Sequence, residues 1–461
     1  MDGGKVDKPA NAGLHYPGSG ETRKPASERA EPHIAERKDE SPTSTERLME
    51  EICERGNLKK ALERVKSNKG SPGIDGMTVE QLSSYLKENW LRIREQLLSG
   101  TYRPQPVKRV EKPKPDGGIR NLGIPTALDR FIQQAVMQVL QRQWDETFSE
   151  HSYGFRPGRS AHQAVAEAQR YIAEGYSIVV DIDLEKFFDR VNHDILMSRI
   201  ARRIKDKRVL KLIRAFLNAG VMENGLVSPS DEGTPQGGPL SPLLSNLLLD
   251  ELDKELEKRG HRFVRYADDS NIYVRSERAV QRVMKSISDF LTKKLKLRVN
   301  QEKSAVGKPS ERKFLGFSFS AGKELKRTIA AKSLKRFKRR IREITGRNRG
   351  VSLEQVIEEL KRYLRGWQSY FGFCQTPSVM RDLNSWIRRR LRCFIWKKWR
   401  RWKTRYSELM KRGVDESLAA ITASSGRGPW HQSHCKALLI ALPNAYFKSL
   451  RLPELKAQKT V

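Results

Sequence analysis

Cysteine is scarce: four in 461 residues, Cys53, Cys374, Cys393 and Cys435, widely spaced and with no CxxC pair. That excludes a disulfide framework and a zinc module built on four cysteines, and it fits a reducing cytosol. His431, His434 and Cys435 stand close together and are read as a polar surface turn, with a metal site as the alternative. No run of about 18 apolar residues occurs, and the N-terminus has no apolar signal segment, so nothing supports a membrane partner. Acidic residues are short as well. Against 55 Asp+Glu stand 89 Lys+Arg, a formal charge of +34. A field of that size draws polyanions from a distance, and the charge is clustered rather than spread, so nucleic acid is the first partner to consider.

The first 44 residues are rich in Gly, Pro, Ser, Glu and Lys with almost nothing to bury, and are expected to be disordered. Apolar rhythm begins at Leu48 and predicts two short helices broken at Gly56-Asn57, then a helix carrying Val79, Leu82 and Leu86 capped by Thr78. Tyr102–Pro125 alternates basic and apolar residues around Asp116-Gly117-Gly118, a hairpin pattern. Helices are expected over Ala127–Trp144, Ala161–Ile172 and Asp194–Ile204. Another starts at a Ser241 cap with Pro242 at its first position and carries a leucine stripe. Ser177–Leu184 is the best strand candidate. Phe263–Tyr266 and Asn271–Val274 form a second strand pair around Ala267-Asp268-Asp269-Ser270. This order predicts an α+β fold.

From Lys326 to Arg412 there are 27 Lys/Arg against 6 Asp/Glu. Leu334, Phe337, Ile341 and Ile344 share one helix face, with Lys335, Lys338, Arg339 and Arg342 off it. Ile387, Leu391, Phe394, Ile395, Trp399 and Trp402 repeat the theme. Basic-sided helices of this kind can follow phosphate backbones without reading bases. Trp386, Trp396, Trp399 and Trp402 are read as core rather than as stacking platforms.

Adjacent aspartates at a tight turn repel each other, and Tyr266-Ala-Asp-Asp269 makes chemical sense when a divalent cation bridges them. The ordinary alternative is a plain hairpin turn. A third carboxylate on the earlier strand would complete a two-metal site, whose ions sit roughly 3.5–4 Å apart. Alternation puts Asp181 and Asp183 on the same face, so spacing does not choose between them.

Eight blocks, in order, resemble group II intron reverse transcriptases, also called maturases, from about residue 46 to about 450. They are Asn68-Lys-Gly…Gly73-Ile-Asp-Gly-Met-Thr78, Lys112-Pro-Lys-Pro-Asp-Gly-Gly-Ile-Arg-Asn-Leu-Gly-Ile-Pro125, Ser152-Tyr-Gly-Phe-Arg-Pro157 and Asp181-Ile-Asp-Leu-Glu-Lys-Phe-Phe-Asp189. Gly233-Thr-Pro-Gln-Gly-Gly238, Tyr266-Ala-Asp-Asp269, Asn300-Gln-Glu-Lys303 and Phe314-Leu-Gly-Phe317 complete the series. The resemblance implies a right-hand polymerase of fingers, palm and thumb, with an antiparallel palm sheet and a helical basic thumb. It divides the chain into a disordered extension (1–44), N-terminal extension and fingers (45–175), palm with part of the fingers (176–322), thumb or X domain (323–412) and a short DNA-binding-like extension (413–461).

The resemblance also implies roles. Asp183, Asp268 and Asp269 match the carboxylates that hold two Mg²⁺ ions, for which Mn²⁺ can substitute. Lys303 matches a lysine that protonates the leaving pyrophosphate. Lys114 and Arg120 match the grip on the dNTP triphosphate, with Lys112 a departure from the family pattern that leaves the choice of lysine open. Phe188 matches the aromatic gate against a 2′-hydroxyl, and Gln236 the residue beside nucleotide and template. Arg156 either holds a template phosphate or braces the fingers. Lys335, Lys338, Arg339 and Arg342 would contact nucleic acid. The implied partners are intron RNA, an RNA template with DNA primer, target DNA and dNTPs, with no membrane and no obligate protein partner, in the bacterial cytosol near the nucleoid. The HNH endonuclease of many relatives is expected to be absent, since the chain reaches Val461 without paired cysteines. The alternatives to an RNA-directed DNA polymerase are a non-catalytic splicing maturase and a polymerase co-opted for defence or repair.

Overall fold

The computed structural model describes residues 46–113, 117–223, 226–228, 232–234, 237–322 and 324–458. The disorder expected of residues 1–44, and the side chains of Lys114 and Gln236, lie outside that set. The chain is mixed α+β and divides into two compact units, one ending at Gly307 and one starting at Lys308.

The first unit opens with α1 (Leu48–Ile52), α2 (Arg55–Ser67) and α3 (Leu82–Leu98). The break between α1 and α2 falls at Cys53-Glu54, not at Gly56-Asn57. Glu54 is extended (φ −63°, ψ 137°), and Gly56 falls in the first turn of α2, where a glycine costs little. Thr78 does not cap α3. It closes a preceding turn by accepting from the Gln81 N–H, and Gln81 occupies the cap position. The hairpin β1 (Val107–Pro113) and β2 (Ile119–Ile124) follows, with Lys112 opposite Arg120.

Next come α4 (Ala127–Trp144), α5 (Ala161–Ala173) and β3 (Ile178–Ile182). Thr126 caps α4 by accepting from the Asp129 N–H, and Ser160 with Gln163 forms a capping box on α5. Then follow α6 (His193–Ala201), α7 (Lys207–Leu217), β4 (Val221–Glu223), β5 (Leu226–Ser228) and α8 (Ser241–Lys258). Ser241 is the first residue of α8 rather than its cap, and Leu240 takes that place. The unit closes with β6 (Arg262–Tyr266), β7 (Asp269–Val274), α9 (Glu277–Lys294) and β8 (Ala305–Gly307).

Two four-stranded sheets result, ordered β2-β1-β4-β5 and β6-β7-β3-β8. The second is antiparallel throughout, and α8 and α9 bury Leu244, Leu248, Leu252, Val283 and Ile287 in the core it shares. Each such side chain contributes about 1.5–3 kcal/mol.

The second unit starts with the two-stranded β9 (Phe317–Phe319) and β10 (Arg327–Ile329). Eight helices follow: α10 (Ala331–Ile344), α11 (Leu353–Phe371), α12 (Pro377–Lys398), α13 (Trp402–Met410), α14 (Glu416–Ser424), α15 (Pro429–Gln432), α16 (Lys436–Ala441) and α17 (Asn444–Ser449). On α10, Phe337, Ile341 and Ile344 are buried, and Phe337 packs against Trp367 at 4.3 Å between ring centroids. Trp396 and Trp399 are core, as expected. Trp402 is not: it is 58% exposed, because it opens α13 just after the sharp turn at Trp399–Arg401. Trp386 is half-buried beneath Arg342 and Lys338. Among the described residues no helix is long and apolar enough to cross a membrane.

Candidate active site

The two aspartate segments meet on neighbouring strands. In the β3–β7 register Ile182 faces Ser270, so Asp183, one residue on, comes level with Asp269, which itself pairs with Tyr266 across the turn. The same register sets Asp181 and Asp183 in different places. Asp181 lies within the sheet, opposite Asn271 on one side and Ala305 on the other, whereas Asp183 is just past the strand's end at the turn.

The backbone at Asp183 is held from the Asn300–Ser304 segment. Its N–H donates to Ser304 Oγ (3.0 Å), and its carbonyl accepts from the Asn300 N–H (2.8 Å). Asn300 Oδ1 accepts from the N–H groups of Glu302 and Lys303, an Asx turn. This places Lys303 Nζ 3.7 Å from Asp183 Oδ2.

Asp268 is half-buried. Burial first, with the negative charge of Asp183 adding to it, raises its carboxyl above the ordinary value, while Arg120 and Arg265 pull it back. Asp268 is therefore within electrostatic reach of both Asp183 and Arg120. All three aspartates offer hard oxygen donors at the ends of two adjacent strands, which suits Mg²⁺ or Mn²⁺. Among the described residues no three His, Cys, Asp or Glu side chains close into a metal cage, at this turn or around His431. The repulsion between Asp183 and Asp268 is what a shared cation would relieve.

Phe188 lies on the turn after β3, edge-on to Phe187 (5.2 Å), where Lys186 takes a left-handed conformation (φ 46°). The Phe188 carbonyl accepts from the Thr234 N–H (2.6 Å), and Gly233 N–H donates to the Val191 carbonyl (2.8 Å). Buried His193 donates from Nε2 to the Gly233 carbonyl (2.5 Å). The start of the Gly233–Gly238 loop is thus fastened to the Phe188 segment. At its far end, a Cβ on Gly237 (φ 139°) would stand 2.6 Å from the Gly123 carbonyl of β2, so the Gly237 backbone lies flush against that strand.

The Arg156 side chain is bonded to the segment around it. It is only 5% exposed, and its guanidinium donates to Asp145 Oδ1 (2.9 Å) and to the carbonyls of Asp145, Ser149 and Ser152. Lys335, Arg339 and Arg342 are exposed on α10, and Lys338 is half-buried.

Sequence reasoning missed the support of the turn. Arg265 is fully buried against Asp253, and Gly154 abuts Ala267 so closely that a Cβ there would lie 2.3 Å from its nitrogen. One signal was available: a charged residue inside the apolar run Phe263–Tyr266 needs a buried partner.

Family models match twice: reverse transcriptase (RNA-dependent DNA polymerase) over residues 112–319, and the group II intron maturase-specific domain over residues 334–413. Protein YkfC of Escherichia coli (strain K12) is 33% identical over 301 residues, covering 57% of this chain and 79% of YkfC. The chain belongs to the group II intron reverse transcriptase/maturase family. It carries an RNA-dependent DNA polymerase domain. The group II intron-encoded protein LtrA of Lactococcus lactis subsp. cremoris is 30% identical over 344 residues, 58% of this chain and 57% of LtrA. This reverse transcriptase therefore spans little more than half of LtrA's length. A solved Cas6-RT-Cas1–Cas2 complex overlays 53% of this chain and 42% of its own at 25% identity, with a TM-score of 0.35, too loose to compare folds.

Proposed function

We propose that the chain extends a DNA primer on an RNA template with dNTPs at Asp183, Asp268 and Asp269, as a fingers–palm–thumb enzyme divided at the boundaries expected above. The observation that carries the reading is the strand register that brings Asp183 level with the Ala267–Asp269 turn, whose Asp268 lies within electrostatic reach of Arg120. Bound there, a pair of divalent cations would activate the primer 3′-hydroxyl and offset the charge of the leaving pyrophosphate. Arg120, with Lys114 or its cross-strand neighbour Lys112, grips the triphosphate. Phe188 limits space at the sugar, Gln236 contacts nucleotide and template, and Lys303 hands a proton to pyrophosphate.

Primer extension on an RNA template tests this. Product is expected with dNTPs and Mg²⁺, little with NTPs, and none without a divalent cation. Equal extension with NTPs would remove Phe188 from its role, and metal-free extension would remove the carboxylates from theirs.

The exposed basic face of α10 favours a second role alongside the first, in which the chain clamps intron RNA, assists splicing and accompanies the intron to target DNA in the bacterial cytosol. Splicing at low Mg²⁺ by an Asp268→Ala/Asp269→Ala variant separates the two. Unchanged splicing makes the clamp independent of polymerisation, and lost splicing ties it to the carboxylates.

A further inference from the structure

Arg265 stands in β6 between Val264 and Tyr266 and is 0% exposed, as is its partner Asp253 on α8. Full burial of such a cation requires pairing, and here every arm of the guanidinium is used. Nε and Nη2 donate to the Asp253 carboxylate (2.7 and 2.5 Å), and Nη2 also donates to Ser152 Oγ (2.7 Å). Nη1 donates to Asn246 Oδ1 (3.0 Å) and to the Ala267 carbonyl (2.9 Å).

Asn246, seven residues before Asp253 on the same face of α8, donates in turn to the Gly154 carbonyl (2.8 Å). The backbones join as well: Tyr153 N–H donates to the Arg265 carbonyl, and Arg265 N–H to the His151 carbonyl, both at 2.9 Å. One planar group thus ties together three segments distant in sequence.

The Ala267 bond sets this node apart from an ordinary buried ion pair. Ala267 is left-handed (φ 57°) and immediately precedes Asp268. A side-chain-bearing residue holds that conformation only when its surroundings enforce it. Pairing with Asp253 alone would not need the Ala267 carbonyl.

We infer that Arg265, itself held by Asp253 and Asn246, is the positioning residue that fixes the Ala267–Asp269 turn and so sets the Asp268 and Asp269 carboxylates for a divalent cation; this rests on the reading of those aspartates as the cation's ligands. Arg265 acts through the turn's backbone and touches no substrate. The fork geometry is what matters. Lysine would keep the charge opposite Asp253 but could not reach Asn246, Ser152 and the Ala267 carbonyl together.

The test uses the full chain on an RNA template with DNA primer and Mn²⁺ as the probe, with free Mn²⁺ counted by electron paramagnetic resonance. For Arg265→Lys, the Mn²⁺ dissociation constant is expected to rise about tenfold or more, the range for partners that orient metal ligands, and kcat to fall alongside it. KM for dNTP and affinity for primer–template stay near wild type, which general loosening would not leave untouched. Asn246→Ala keeps the ion pair and is expected to weaken Mn²⁺ binding by a smaller factor. Asp268→Asn/Asp269→Asn, which removes the ligands, abolishes Mn²⁺ binding.

If that double variant loses Mn²⁺ while folded Arg265→Lys keeps wild-type affinity and kcat, the inference is overturned and the site reading stands. If the double variant binds Mn²⁺ and extends primers normally, the site reading fails first. Should Arg265→Lys not fold, Asn246→Ala decides, and unchanged Mn²⁺ affinity there overturns the role of Arg265.

Discussion

The two units differ in what their buried arginines meet. In the unit ending at Gly307, several buried or half-buried arginines are matched with acids: Arg265 with Asp253, Arg156 with Asp145, Arg203 with Asp250, and Arg208 with Asp206 and Glu50. In the unit starting at Lys308, acids are few, and α10 leaves Lys335, Arg339 and Arg342 in solvent. Its buried arginines donate to carbonyls instead, Arg392 to that of Leu442 and Arg327 to that of Phe373. One residue type serves as internal scaffold in the first unit and as exposed charge on α10 in the second.

The sharpest way to break this contrast is to remove a scaffold acid. Asp253→Ala leaves Arg265 charged and unpaired in the core and is expected to cost about 3–5 kcal/mol in denaturant unfolding. A loss under about 1 kcal/mol would mean that the buried pair does not organise the unit.

A second buried acid in the same unit is held by neutral donors. Asp129 accepts from the Tyr102 hydroxyl (2.8 Å), the Gln105 N–H (3.1 Å) and Thr126 Oγ1 (2.7 Å), yet burial pushes its carboxyl up to about 6. The folded state thus binds this proton more tightly than the unfolded one. The stability it contributes is fully present below about pH 4 and is lost as pH rises toward about 6, at most about 3 kcal/mol. Asp129→Asn should flatten that part of the stability–pH curve, and an unchanged slope would assign it to other groups.

Removing external charge should do the reverse of removing scaffold. Lys335→Ala/Arg339→Ala/Arg342→Ala is expected to shift stability by no more than about 0.5 kcal/mol per site. RNA affinity should fall uniformly across sequences, with the salt slope of log K reduced by about 2. An unchanged slope would take α10 out of the RNA contact. The smallest effect concerns thiols. Burial pushes Cys53 up to about 11, so it should resist alkylation at pH 8 while half-buried Cys435 reacts.

Much of the framework was legible in sequence because it rests on local patterns. The apolar run at Ile178–Ile182, the hairpin around Ala267-Asp268 and the leucine stripe of α8 each declare themselves within a few residues. The node around Arg265 did not. Its partners come from residues 152, 246, 253 and 267, and an arginine in a chain of net charge +34 reads as surface. The role of Asp253 was hidden in the same way, since an acid beside Leu252 on an exposed-looking helix end carries no mark of its distant partner. Register, which separates Asp183 from Asp181, belongs to strand pairing and cannot be read from alternation alone.

The most direct test measures primer extension and RNA binding side by side in Asp268→Ala/Asp269→Ala. Extension should fall by about a thousandfold or more, while RNA affinity and its salt dependence remain those of the wild type. Extension at the wild-type rate would contradict the proposed site, and a matching collapse of RNA binding would contradict the division between internal scaffold and external charge.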